Sequence, residues 1–171
     1  MDPSLRYRLL EQIVNAHGPG IAGKILQRLL ELAFHRIGFR LIEEGISEGI
    51  DLSVAHREAP ERRYAFEVRT TQSDAAPVSA HDLAQMKARA ADGYQTGLAA
   101  LRIAPGARWI LVRSEWLRPP ELPLSAGTCE PWKELADKLN RAFDEVLEEL
   151  SPLALEDGLE GLEPFLRDAM R

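Results

Sequence analysis

Residues 64–72 read YAFEVRTTQ, an alternation of the β type that puts an acid and a base, Glu67 and Arg69, on one side of a strand. On a half-buried strand such a face usually meets water, and mixed charges there carry no message. Here, however, Glu67 interrupts Ala65, Phe66 and Val68, where an exposed strand would more naturally carry Thr or Lys. Whether this pair is a solvated face or the centre of a site decides how the rest of the chain is read.

The stretch just before it supplies a third charge. GIDLSVAH (49–56) and RYAFEVRTT (63–71) are strand-like and are separated by REAPE (57–61), a spacing that suits a hairpin; if they form one, its register follows from the turn. A loop centred on Ala59 pairs residues whose numbers total 118, which sets Asp51 across from Glu67. A slip of one residue would send Asp51 to the other face. Directly opposed residues have Cβ atoms only ~4.5–5.5 Å apart, and like charges so placed are destabilising. Asp51 is also the only acid between Ile50 and Ala55. Two agents can offset the repulsion: a divalent cation, or Arg69 on the same face. The competing reading is an ordinary surface ion pair, which contributes little to stability.

Around this hairpin the pattern is helical on both sides. Residues 4–16 place Leu5, Leu9, Leu10, Ile13 and Val14 at helical spacing, and HGPG (17–20) ends the run. A second helix follows in IAGKILQRLLELAFHRIGF, with Ile25, Leu26, Leu29, Leu30 and Ala33 on its apolar face and Lys24, Gln27, Arg28, Glu31 and His35 opposite. FRLIEE (39–44) reads as a strand before the turn-formers of 45–49. Residues 81–93 read as a helix, and TGLAALRI (96–103) and RWILVR (108–113) as strands. The Pro-rich 118–131 reads as a loop, WKELADKLNRAFDEVLEEL (132–150) as an amphipathic helix that Pro152 stops. The expected class is α/β, a mixed sheet flanked by helices, with 1–150 as one domain and 151–171 as an acidic C-terminal extension docked as a helix.

Composition narrows the function. The net charge is −6, but residues 118–171 hold 13 Asp+Glu against 6 Lys+Arg, so the hairpin region is close to neutral and a nucleic-acid partner stays open. The single cysteine, Cys129, allows no internal disulfide and suits a reducing, cytoplasmic setting as an idle thiol. No apolar run approaches the ~18–20 residues of a membrane span, and no signal-peptide core is present. His17, His35, His56 and His81 lack metal-ligand spacing, and no nucleophile elbow, phosphate loop or dinucleotide fingerprint occurs.

At GKILQ…IGF, GID with Asp51, FEVRTT, the helix carrying Gln85 and the strands GLAALRI and WILVR, the chain resembles the PD-(D/E)XK superfamily of restriction-endonuclease-like nucleases. The resemblance covers about residues 20–115 and implies a restriction-endonuclease-like mixed sheet. It further implies a metal-dependent nuclease hydrolysing DNA phosphodiester bonds, in which Asp51, Glu67 and the Val68 carbonyl ligate Mg²⁺, or Mn²⁺ in its place. Arg69 stands at the family's lysine, Gln27 at a helix glutamate, and Gln85 where some members place a glutamine near DNA. Arginine cannot give up its proton, which shifts general-base work away from this position. Gln27 removes a ligand, for which Glu31, one turn on, could substitute. Arg57, Arg62, Arg63, Lys87 and Arg89 are available for the DNA backbone. Two alternatives stand beside this: a degenerate nuclease-fold module that binds nucleic acid without cutting it, and an interaction protein using its acidic C-terminal region. Cutting both strands of a duplex would imply a homodimer.

Overall fold

The computed structural model describes residues 1–42 and 50–171. The end of the first expected strand, the turn-formers of 45–49 and the glycine of GID lie outside the described residues. The elements are α1 (Pro3–Arg36), β1 (Phe39–Leu41), β2 (Leu52–His56), β3 (Arg63–Thr71), β4 (Ala75–Pro77), α2 (Ala80–Ala91), β5 (Gln95–Arg102), β6 (Trp109–Arg113), β7 (Glu121–Pro123), α3 (Lys133–Asp157) and α4 (Leu159–Ala169). A five-stranded mixed sheet has the order β1-β2-β3-β5-β6, and β4 and β7 form a separate two-stranded ribbon. All neighbours in the large sheet are antiparallel except β3 and β5, which α2 joins by a crossover.

The hairpin register is the expected one: Leu52 lies opposite Phe66, Ser53 opposite Ala65 and Val54 opposite Tyr64. Two cores lie on opposite faces of the sheet, and alternation gives one of them the apolar side chains of β3. Tyr64, Phe66 and Val68 join Phe34, Phe39, Trp132 and the apolar faces of α1 and α3, with Phe66 stacked on Phe34 at 5.7 Å. The other face of the sheet offers Leu98, Ala100 and Val112 to Met86 of α2 and to Ala76 and Leu122 of the ribbon. β3 is therefore covered on both sides, and an acid on it is not automatically in water.

Three local expectations change. The two N-terminal helices are one element with a kink at Gly18, whose φ of 77° and ψ of 160° break the helical path, and Pro19 opens the second half. Pro152 does not stop α3, which runs on to Asp157 and ends at Gly158 with φ 60°. Pro152 lies on the exposed face, while Leu150 and Ala154 are buried on the other, and that packing offsets the lost N–H bond. The Pro-rich segment contains a three-residue strand, β7, too short for any periodicity to show.

The C-terminal segment folds back as α4 against α1 and α3, burying Leu162 and Ala169. His17 hydrogen-bonds the Ala154 carbonyl at 2.8 Å and so ties the kink of α1 to the end of α3. Cys129 is buried in the main core. Among the described residues no helix is long and apolar enough to cross a membrane.

Candidate functional site

β3 outruns its partner. β2 ends its ladder at Leu52 opposite Phe66, so beyond that point β3 keeps β5 on one edge and has no β2 strand on the other. Asp51 closes the gap. Its backbone N–H donates to the Phe66 carbonyl at 3.1 Å, and its carboxylate accepts the Val68 N–H at 2.8 Å. The side chain thus takes over where the strand stops, which fixes the carboxylate beside Glu67 and Arg69.

Arg69 stands among these groups. Its Nη1 lies 2.5 Å from Glu67 Oε1, 3.1 Å from the Val68 carbonyl and 3.4 Å from Asp51 Oδ2. Its Nη2 reaches Asp82 Oδ1 at 3.3 Å. Asp82 belongs to the first turn of α2, where its other oxygen accepts the Ser79 N–H at 2.8 Å and Ser79 caps the helix in return. The helix cap therefore orients a third carboxylate toward the guanidinium.

Glu67 is 5 % exposed, which excludes a solvated face. Burial, and next the Asp51 carboxylate, push its pKa up from 4.5 to about 7; Arg69 pulls it down, and Asp82 adds to the rise. Its Oε2 is buried and has no hydrogen-bond partner among the described residues. A single guanidinium thus leaves the acid half satisfied.

Two cavities flank Asp51. One, of about 320 Å³, is lined by Gly23, Lys24, Gln27, Val68, Arg69 and Thr70. The other, of about 460 Å³, lies toward Arg28, Glu31, Ser53 and α4. Gly23 allows the close approach of α1 to β3, since a Cβ there would meet Thr70 Oγ1 at 3.0 Å. Gln27 faces the site without contributing a charge. Its Nε2 donates to the Asp51 carbonyl at 2.9 Å and to Glu31 Oε1 at 3.1 Å.

The structure thus brings Asp51, Glu67, Val68, Arg69 and Gln27 together. Glu31, expected on a polar helix face, is 3 % exposed, paired with Arg28 at 2.8 Å, and has its pKa raised by burial. Gln85 is half-buried on α2, one turn beyond Asp82. The expected basic contacts are not gathered at the site. Arg63 and Arg89 lie over the Tyr94 ring at 4.9 and 4.2 Å, Arg62 lines a separate cavity with Trp132, Arg57 contacts His35, and Lys87 is exposed. Arg62 and Arg63 are four or five residues from Glu67 along the strand, roughly 13–17 Å.

Two participants escaped the reading of the sequence. Asp82 carried a legible signal, the S-x-x-D capping pattern at 79–82, but nothing local pairs it with β3. Lys24 lies within GKILQ, yet only the packing of α1 on β3 turns it to the cavity.

The oxygens gathered here are of the kind that could hold a hard cation. Two carboxylates and a main-chain carbonyl converge on one point, and Glu67 keeps a spare buried oxygen, a hard-oxygen set suited to Mg²⁺ completed by water. Among the described residues no group of three or more His, Cys, Asp and Glu side chains suited to a metal occurs. Comparison with known proteins yields no family model, no curated protein and no solved structure that matches the chain.

Proposed function

We propose that the chain is a metal-dependent nuclease of the restriction-endonuclease-like type that hydrolyses DNA phosphodiester bonds. One observation carries this reading: the Asp51 and Glu67 carboxylates and the Val68 carbonyl meet at a single point beside an open cavity. The order of elements around the large sheet supports the reading, a helix, a three-stranded meander, a helix and two further strands, with the short ribbon strand β4 placed before the second helix.

Asp51, Glu67 and the Val68 carbonyl would hold Mg²⁺ or Mn²⁺. Bound there, the ion would supply a water of lowered pKa and polarise the phosphoryl group. The chain's own residues do the rest. Asp51 is held by the Val68 N–H and is therefore preorganised, and Gln27 holds its backbone from α1. An arginine side chain does not serve as a general base, so the chemical role of Arg69 is a clamp on phosphate oxygens. Lys24 lines the same cavity and adds a second positive charge where a phosphate would enter.

The test is a cleavage assay on linear, single-stranded and branched DNA with Mg²⁺ or Mn²⁺, with Asp51→Ala and Arg69→Lys alongside. Metal-dependent cleavage lost in Asp51→Ala is the expected result; no cleavage by wild type or Arg69→Lys in either metal overturns it. A second reading, a module that binds DNA without cutting it, is favoured by the position of Arg69 Nη1 at the point where the oxygens converge. Binding without cleavage in wild type, with activity gained in Arg69→Lys, would support that reading and identify the arginine as the lesion.

A further inference from the structure

Arg69 occupies two places at once. Nη1 sits among the oxygens of Glu67, Val68 and Asp51, and Nη2 reaches Asp82. The three acceptors of Nη1 are the groups assigned above to a divalent cation, so ion and guanidinium need one space, and two cations there would repel. Asp82 lies outside that group. Its carboxylate is oriented by the Ser79 N–H, independently of the sheet. A guanidinium fork spans both places, whereas a lysine at this position would have one nitrogen and could hold only one.

We propose, on the metal-site reading above, that Arg69 is a resident cation displaced when the divalent ion binds, and that Asp82 is the positioning residue that receives it. In the metal-free protein Arg69 pairs with both Asp51 and Glu67. When the ion takes Nη1's place, the guanidinium pivots onto Asp82 and remains at the cavity wall beside Val68 and Thr70. The buried Oε2 of Glu67, without a donor among the described residues, marks the capacity that Arg69 leaves unused. The arginine then acts as a competitor of the metal and afterwards as a fixed charge next to it.

Mn²⁺ binding, followed by electron paramagnetic resonance of the free ion, tests this without reference to catalysis. Wild type, Arg69→Met, Asp82→Asn and the double variant are compared after thermal melts establish that each is folded. Asparagine keeps an oxygen for the Ser79 N–H; should it melt early, Asp82→Ser replaces it. Arg69→Met is expected to bind Mn²⁺ about tenfold tighter or more, because the competing charge is gone. Asp82→Asn is expected to weaken binding about threefold or more, and this loss is expected to vanish in the Arg69→Met background. Affinity in Arg69→Met equal to or below wild type overturns the exchange alone. An equal Asp82→Asn loss in both backgrounds overturns the receiving role, since Asp82 would then act on the ion directly. No binding by any variant, Arg69→Met included, overturns the metal site and the exchange together.

Discussion

The side-chain amide of Gln27 donates to the main-chain carbonyl of Asp51 at 2.9 Å, joining the kinked helix α1 to the start of β2 at the point where the carboxylates converge. The same nitrogen donates to the buried Glu31. A glutamate at this position could make neither bond and would face a second carboxylate. Gln27→Glu is therefore expected to destabilise the protein by about 1–3 kcal/mol, measured by urea unfolding, rather than restore a ligand.

Glu67 couples stability to pH. Its native pKa of about 7 lies above the ordinary 4.5, so between these values the folded state binds more protons than the unfolded state. Its contribution is present in full below about 4.5, declines as pH rises and is lost above about 7. Without divalent ions, the melting temperature of wild type is expected to fall over that window relative to Glu67→Gln, which keeps the shape and cannot ionise. Parallel melting curves for the two proteins from pH 4.5 to 8 would show that Glu67 does not titrate in this way.

Arg6 and Asp144 form a buried bidentate pair between α1 and α3, both at most 6 % exposed, with Arg6 Nε 2.5 Å from Oδ1. Asp144→Ala strands a buried guanidinium and is expected to cost about 3–5 kcal/mol. The paired replacement Arg6→Met with Asp144→Leu removes both charges and is expected to return most of that loss. Chemical denaturation of the single and double variants gives the comparison.

Gly97 of β5 sits against β6 and the indole of Trp132. A Cβ there would lie 2.2 Å from the Val112 carbonyl and 2.7 Å from the ring. Gly97→Ala is expected to cost about 3 kcal/mol through forced backbone and ring shifts. A thermal melt within a degree of wild type would show that β6 yields more easily than the close contact implies.

What the chain's order of residues settled was local and periodic. The turn at 57–61 determined the register that sets Asp51 near Glu67, and a one-residue slip would turn the Tyr64–Phe66–Val68 face out of the core. The apolar stripes of α1 and α3 and the continuous run of β6 were legible for the same reason. Burial and partnership were not. Glu31 looks like a solvated helix acid until Gln27 and Arg28 cover it, and Pro152 looks like a stop until the Leu150–Ala154 face docks. That Arg63 and Arg89 both pack over the Tyr94 ring is likewise not visible in the spacing of the sequence. Asp82 joins the site only because the β3–α2–β5 crossover lays the cap of α2 over Arg69. Sequence spacing determines which side of an element a residue occupies; what stands opposite that side, and hence each group's charge state and partner, is set by contacts between elements distant along the chain, and only the tertiary structure decides them.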